Sequence, residues 1–297
     1  MEEPLFRRDA LAAGRTDAEL RRAVRRGDLT RLTPGVYLDS KGTRHLDDIG
    51  RHAIHARAAG VKLGSCAALS HISAAVLHGF DVWRTDLGRV HVTNGRDAGG
   101  QRSATRYVHA GRLDGDVVEL DGVRVTSPAR TVVDLARTVS ADEAVVIGDS
   151  ALRSFPGLCY GGLLDVPRTG IAAARRVIGF LDGRSESPGE SLGRLRLRDS
   201  GIPDPDLQRI IRTPRGVFVA RVDYFWERWG IVGEFDGMAK YEGVDDVRAE
   251  KRREDALRDL GFEVVRWTWP ELFRFETVVA RFERALRRIR SAPSDPL

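Results

Sequence analysis

Residues 217–236 read Val217-Phe-Val-Ala-Arg-Val-Asp223-Tyr-Phe-Trp-Glu-Arg-Trp-Gly230-Ile-Val-Gly-Glu234-Phe-Asp236, and they decide the C-terminal fold. Residues 217–225 and 230–236 are apolar runs rich in Val, Ile and aromatics, a pattern that predicts two strands. Asp223 and Glu234 stand toward their ends, and Asp236 follows two residues on. Two carboxylates meeting at ~4 Å repel by roughly 4 kcal/mol at an effective dielectric near 20. A divalent cation removes that conflict, and Mg²⁺ or Mn²⁺ takes carboxylate oxygens. The stretch therefore suggests a metal site on a sheet edge, a setting suited to phosphodiester hydrolysis. The competing reading is a set of edge carboxylates paired with the abundant arginines. Trp226 and Trp229 lie in the turn between the strands, where hairpin packing competes with base stacking.

Working outward, Asp182-Gly-Arg-Ser-Glu-Ser-Pro-Gly189 is polar and breaker-rich, as a linker is. Beyond it the spacing predicts a helix over 188–199, strands over 206–212, 217–225 and 230–236, and a helix over 244–260. A strand over 262–267 and a helix over 270–290 complete an αβββαβα order. In the charged helix, Val247, Glu250, Glu254 and Leu257 share one face. An apolar stripe interrupted by two glutamates suits a face that borders a polar cleft. A solvated helix with pairs to Arg253 and Arg258 is the alternative.

This order, with an acid on each of the second and third strands, resembles the PD-(D/E)XK nuclease superfamily. It is most similar to the widespread bacterial domain related to very-short-patch-repair endonucleases. The residues that carry the resemblance are Ser187-Pro-Gly-Glu190-Ser, Val222-Asp223, Val232-Gly-Glu234-Phe-Asp236-Gly237, Lys240-Tyr241, Glu250 to Arg258 and Gly261 to Trp267. The resemblance implies a restriction-endonuclease-like αβββαβ core in a domain over 186–290. Asp223 and Glu234 would hold Mg²⁺ (or Mn²⁺), Asp236 would be a further ligand, and Glu190 would face the same site from the first helix. The superfamily places a lysine two residues after the second acid, where this chain has Asp236. Lys240 is the candidate to reach back and stabilise charge on phosphate.

At the other end, Thr16 and Glu19 stand three apart ahead of Leu20, Ala23 and Val24, and Gly27 follows. This predicts a capped helix over 17–26 after a first helix over 4–13. Arg21, Arg22, Arg25 and Arg26 project from its remaining surface. Pro34-Gly35 supplies a turn between two extended pieces over 29–38. Helix, turn, basic helix, hairpin is the order of a winged helix-turn-helix over 1–40, with Arg15 and Arg31 flanking the basic helix as further phosphate contacts. A small helical subdomain with a solvated arginine face is the bland alternative. The stretches Ala10-Leu-Ala-Ala-Gly-Arg-Thr16, Leu20-Arg-Arg-Ala-Val-Arg-Arg-Gly27 and Arg31-Leu-Thr-Pro-Gly-Val-Tyr37 resemble the N-terminal domain of AbiEi-type antitoxins of type IV toxin–antitoxin systems. That resemblance implies binding to operator DNA and a cognate toxin as a further partner.

The middle region, 41–181, mixes helical patterns over 43–59, 67–78, 128–136 and 142–153 with short strand-like pieces over 88–126, so the fold class is mixed α/β (α+β). Ser127-Pro128 predicts a helix start. Leu69-Ser-His-Ile-Ser-Ala-Ala-Val-Leu-His-Gly79 resembles the helix that follows the winged helix in the same antitoxin-like family. The pairs His52/His55 and His71/His78 have no acidic ligand at a recognisable spacing, so no metal or catalytic role is assigned to them. Cys66 and Cys159 form no CxxC and read as buried reduced thiols. The chain has 297 residues, 42% hydrophobic and 31% charged, with a net charge of +5, a mild bias compatible with nucleic acid. No run approaches the ~18 apolar residues that span a bilayer. The N-terminus lacks a signal-peptide pattern, so a membrane is excluded as partner and a cytoplasmic location is the default expectation. Two functions stay open: a DNA endonuclease, or a non-enzymatic DNA-binding regulator of antitoxin type whose nuclease-like domain is degenerate.

Overall fold

The computed structural model describes residues 4–43, 45–96, 99–237 and 244–291, with side chains throughout these except at 33, 43 and 244–250. The fold is mixed α/β. The described strands form three sheets, of three, four and six strands. The chain divides into two compact units, one comprising 1–147 and 157–180, the other 148–156 and 181–297.

The first unit opens with β1 (Leu5–Phe6), α1 (Arg7–Ala12), α2 (Asp17–Arg26), β2 (Leu29–Thr33) and β3 (Val36–Asp39). The strands run antiparallel in the order β1-β3-β2. Thr16 and Glu19 form the expected reciprocal cap on α2, and Gly27 ends the helix in the left-handed region at φ 79°. Leu20 is buried with Ala10 and Tyr37, and Leu5, Val24 and Leu29 pack around them. The apolar face of α2 thus holds the small core and leaves the arginine face outside. Two helices against a three-stranded sheet is a winged-helix arrangement, shorter at its first helix than the sequence spacing predicts.

The same unit continues with α3 (Ser40–Thr43), α4 (Asp48–Gly60), β4 (Ala68–Leu69), α5 (His71–Leu77), β5 (Val90–Thr93), β6 (Gln101–Arg102), β7 (Arg106–His109), β8 (Val117–Leu120), β9 (Val123–Thr126) and α6 (Pro128–Ala136). After it come α7 (Ala141–Ser154), which runs across the boundary at 147/148, and then α8 (Gly161–Asp165) and α9 (Ile171–Ile178). The six-stranded sheet has the order β6-β7-β5-β4-β9-β8, with β4–β9 and β5–β7 parallel. Residues 68–69, expected inside a helix, are a strand because they pair with β5 and β9. Cys66 and Cys159 are free but exposed, which corrects the expectation that both are buried.

The second unit holds α10 (Pro188–Asp199), β10 (Asp206–Arg212), β11 (Phe218–Trp226), β12 (Ile231–Asp236), α11 (Val244–Asp259), β13 (Glu263–Thr268) and α12 (Glu276–Ser291). This is the αβββαβα order read from the sequence. The sheet order is β10-β11-β12-β13, antiparallel up to β12 and parallel between β12 and β13. Leu257 of α11 packs into the cluster of Ile211, Ala220, Val222, Phe225 and Val232. Trp226 is buried, donates from Nε1 to the Pro203 carbonyl at 2.7 Å, and meets Phe282 of α12 edge to face. Trp229 meets the same ring, so both tryptophans pack the hairpin.

Candidate functional site

The acidic residues come together through strand pairing and one close helix approach. Tyr224 pairs with Gly233, so Asp223 and Glu234 stand one step further on, opposite each other on β11 and β12. The Phe235 N–H donates to Asp223 Oδ2 at 2.9 Å. Helix α10 brings Glu190 to the same place because it approaches the sheet through glycines. A Cβ on Gly189 would lie 1.9 Å from Phe235, and one on Gly193 would lie 2.4 Å from the Tyr224 hydroxyl. That hydroxyl donates to the Glu190 carbonyl at 2.8 Å. A buried ion pair, Arg194 Nη1 to Asp149 Oδ2 at 2.8 Å, ties α10 to the 148–156 segment of the unit.

The electrostatics of the three acids differ. Burial, helped by the charges of Glu190 and Glu234, pushes the Asp223 carboxyl up to about 6, against the Phe235 N–H and Arg253. Glu190 is buried and satisfied: Ser187 Oγ donates to Oε1 at 2.7 Å, and the Glu186 N–H (2.8 Å) and Gln208 Nε2 (2.9 Å) donate to Oε2. Glu234 is buried and paired with Arg266 Nη2 at 2.8 Å and with Arg253 Nη2 at 3.4 Å. Arg266 also reaches Glu254 Oε2 at 3.4 Å, so α11 does border a polar, charged patch. Asp236 is half-buried at the end of β12, opposite Thr268 of β13. Lys240 lies outside the described residues, as do the side chains of Val247 and Glu250.

Asp223 and Glu234 fit a divalent cation by donor type, and burial together with the charges of Glu190 and Glu234 holds Asp223 back from ionising. Two arginines already compete for Glu234. Among the described residues, the acids do not form a set of three with ligand atoms within 4.8 Å of one another.

The arginine face of α2 is the second assembly. Arg15, Arg21, Arg22, Arg25, Arg26 and Arg31 are all exposed. At 100° per residue, Arg21, Arg25, Arg22 and Arg26 cover roughly 140° of the helix, and Leu20, Ala23 and Val24 occupy the opposite side. Arg26 pairs with Asp28 at 3.0 Å. Among the described residues, Arg21, Arg22 and Arg25 are in no hydrogen bond or ion pair; Arg21 acts on Asp17, and Arg22 on Glu19, only at longer range.

A third assembly was not legible in the sequence. His71, His91 and His109 place ligand atoms within 4.8 Å of one another. His71 begins α5, His91 is in β5 and His109 ends β7, so a short helix and two parallel strands bring them together.

Two relatives, uncharacterized proteins from two strains of Mycobacterium tuberculosis, are each 32% identical over 278 residues, which is 91% of this chain and 96% of the relative. A family described as "Transcriptional regulator, AbiEi antitoxin" matches residues 7–38, the span of α1, α2 and the hairpin. The N-terminal segment, 7–38, thus matches an AbiEi antitoxin-type transcriptional regulator domain, and the chain as a whole belongs to the family of these mycobacterial proteins.

Proposed function

We propose that the protein is a DNA-binding regulator of antitoxin type, with α2 as the helix laid against the duplex. The observation that carries this is the exposed arc of Arg21, Arg22, Arg25 and Arg26 on a helix whose other side is the domain core. Exposed guanidiniums on a rigid helix suit phosphate oxygens and guanine edges, and the cap at Thr16 fixes the helix that presents them. Arg15 and Arg31 extend the basic surface on either side. The regulator would act with a cognate toxin, as antitoxins do. A gel-shift screen with the DNA upstream of its own gene against scrambled duplex tests the reading. Preferential retardation of the upstream DNA is expected, and equal weak binding to both would remove it.

A second reading is favoured by the β10-β11-β12-β13 sheet and by the meeting of Asp223, Glu190 and Glu234: Mg²⁺- or Mn²⁺-dependent hydrolysis of DNA phosphodiester bonds in the second unit. Asp223 and Glu234 would hold the cation, which would supply an activated water and offset charge on phosphate. Glu190, held by Ser187 and Gln208, would set the field at Asp223. Asp236 would be a further oxygen donor and Lys240 the cationic helper. Cleavage of plasmid DNA that needs the cation and disappears in Asp223→Ala and Glu234→Ala is the expected result. Undiminished cutting by both variants would remove this reading and leave the regulator standing.

A further inference from the structure

We infer that His71, His91 and His109 form a binding site for a first-row transition metal of the Zn²⁺ type, separate from the acidic residues of the second unit. His91 Nδ1 and His109 Nε2 lie 3.1 Å apart. Two imidazole nitrogens on one tetrahedral Zn²⁺, each at ~2.0–2.1 Å, stand ~3.3 Å apart, so this pair already has the right separation. His71 completes the set from the side: its ring stacks on that of His109 with centroids 3.6 Å apart and 14° between planes. Parallel rings cannot both aim a lone pair at one ion, so metal entry turns the His71 ring out of the stack. Ser70 Oγ lies 3.0 Å from His71 Nδ1. With the hydroxyl accepting from Nδ1–H, Nε2 keeps its lone pair, the arrangement by which outer groups orient a metal-bound histidine.

Three further features point to a ligand rather than to ordinary packing. His71 has a backbone φ of +49°, left-handed space that strains a non-glycine residue and concentrates at functional positions. All three rings are held neutral, the form that binds metal: burial lowers His71 well below its usual range, His91 to about 4 and His109 to about 2. The cluster also has access. All three histidines line one cavity of about 510 Å³, together with Asp86 and Glu143. His71 and His109 also line another of about 510 Å³, shared with Arg130, Arg137 and Arg168 and with Asp134, the carboxylate those three arginines pair with. Three protein nitrogens leave a fourth position open for water or a small exogenous ligand.

The test is titration of the full, chelator-treated chain with Co²⁺ alone, a spectroscopic stand-in for Zn²⁺. One equivalent bound with the visible bands of a tetrahedral nitrogen site is expected. Loss of an outer-shell partner costs ~10–100-fold in affinity, so His91→Ala and His109→Ala should weaken binding by more than ~100-fold. Absence of the bands, or uptake undiminished in both histidine variants, would overturn the site. A Zn²⁺-soaked crystal of the unaltered protein decides independently of variant folding: an anomalous peak among the three histidines supports the site, and its absence at full soak overturns it.

Discussion

The Phe235 N–H donates to Asp223 Oδ2 at 2.9 Å, while Asp223 Oδ1 receives no hydrogen bond among the described residues. One oxygen of a half-buried carboxylate is thus fixed to the neighbouring strand and the other is left over. Burial is the main cause that raises this carboxyl, with Glu190 and Glu234 adding to it and the Phe235 N–H opposing. Folding raises the Asp223 carboxyl from 3.8 to about 6, so between those values the folded state keeps a proton that the unfolded chain has released. This stabilising contribution is fully present below pH ~4 and is lost as pH rises through ~6. At pH 7 the ionised group costs on the order of 3 kcal/mol. In chelator-treated protein, Asp223→Asn, which still accepts from Phe235, should therefore be more stable than the unaltered chain at pH 7, with the gap closing by pH 4. Urea denaturation at both pH values checks it; equal stability at pH 7 would contradict it.

The same conflict is what a cation relieves. Mg²⁺ at millimolar concentration, a hard cation that takes oxygen rather than imidazole ligands, should raise the melting temperature of the unaltered chain and leave that of Asp223→Asn unmoved, because binding to the folded state alone stabilises it. Differential scanning calorimetry with and without Mg²⁺ reads this. An equal rise in both proteins would place Mg²⁺ elsewhere.

Helix α10 depends on missing side chains. Gly189→Ala puts a methyl group 1.9 Å from Phe235. Overpacking of this kind costs ~1–3 kcal/mol, and a shift of α10 would carry Glu190 away from Asp223. Thermal denaturation should show the loss, and the apparent Asp223 titration, followed by NMR, should move down toward the usual carboxylate range. An unchanged melting point would show that the ring yields freely.

The buried pair of Asp149 and Arg194 is expected to be asymmetric in its mutants. Asp149→Ala removes the carboxylate that balances the buried Arg194 charge, and breaking such a pair costs ~3–5 kcal/mol. Burial raises the Asp149 carboxyl although Arg194 opposes the shift. Replacing both residues by apolar ones of similar volume should recover much of the loss in urea denaturation. A double variant no better than the single one would contradict this account.

What was legible in the sequence was local. The cap of Thr16 and Glu19 and the left-handed Gly27 are written within three residues of α2, and the structure places both where the pattern puts them. The strand–acid pattern of 217–236 and the helices around it were legible because each segment is long and strongly periodic. The surroundings of the acids were not. Arg266 reaches Glu234 because β13 runs parallel to β12 in a register that sets the two residues opposite, and parallel pairing leaves no mark in spacing. The histidine cluster was hidden for the same reason: the three residues are 20 and 18 positions apart and meet only through the β5–β7 pairing and the start of α5. Residues 68–69 have an apolar pattern that continues into α5 and spells helix, and tertiary pairing with β5 and β9 overrides it.

The central claim is that the α2 arginines bind DNA, and one salt-dependent measurement tests it most directly. Fluorescence anisotropy should follow binding of the upstream duplex to the unaltered chain and to the triple variant R21A/R22A/R25A over a range of salt. Each phosphate contact contributes ~0.9 to the slope of log affinity against log salt, so the variant should lose up to ~3 units of slope, and its affinity should fall more than ~10-fold. Circular dichroism should be unchanged, because the three side chains lie outside the Leu20 core. Equal affinity and slope in both proteins, or no binding by the unaltered chain at low salt, would contradict the account.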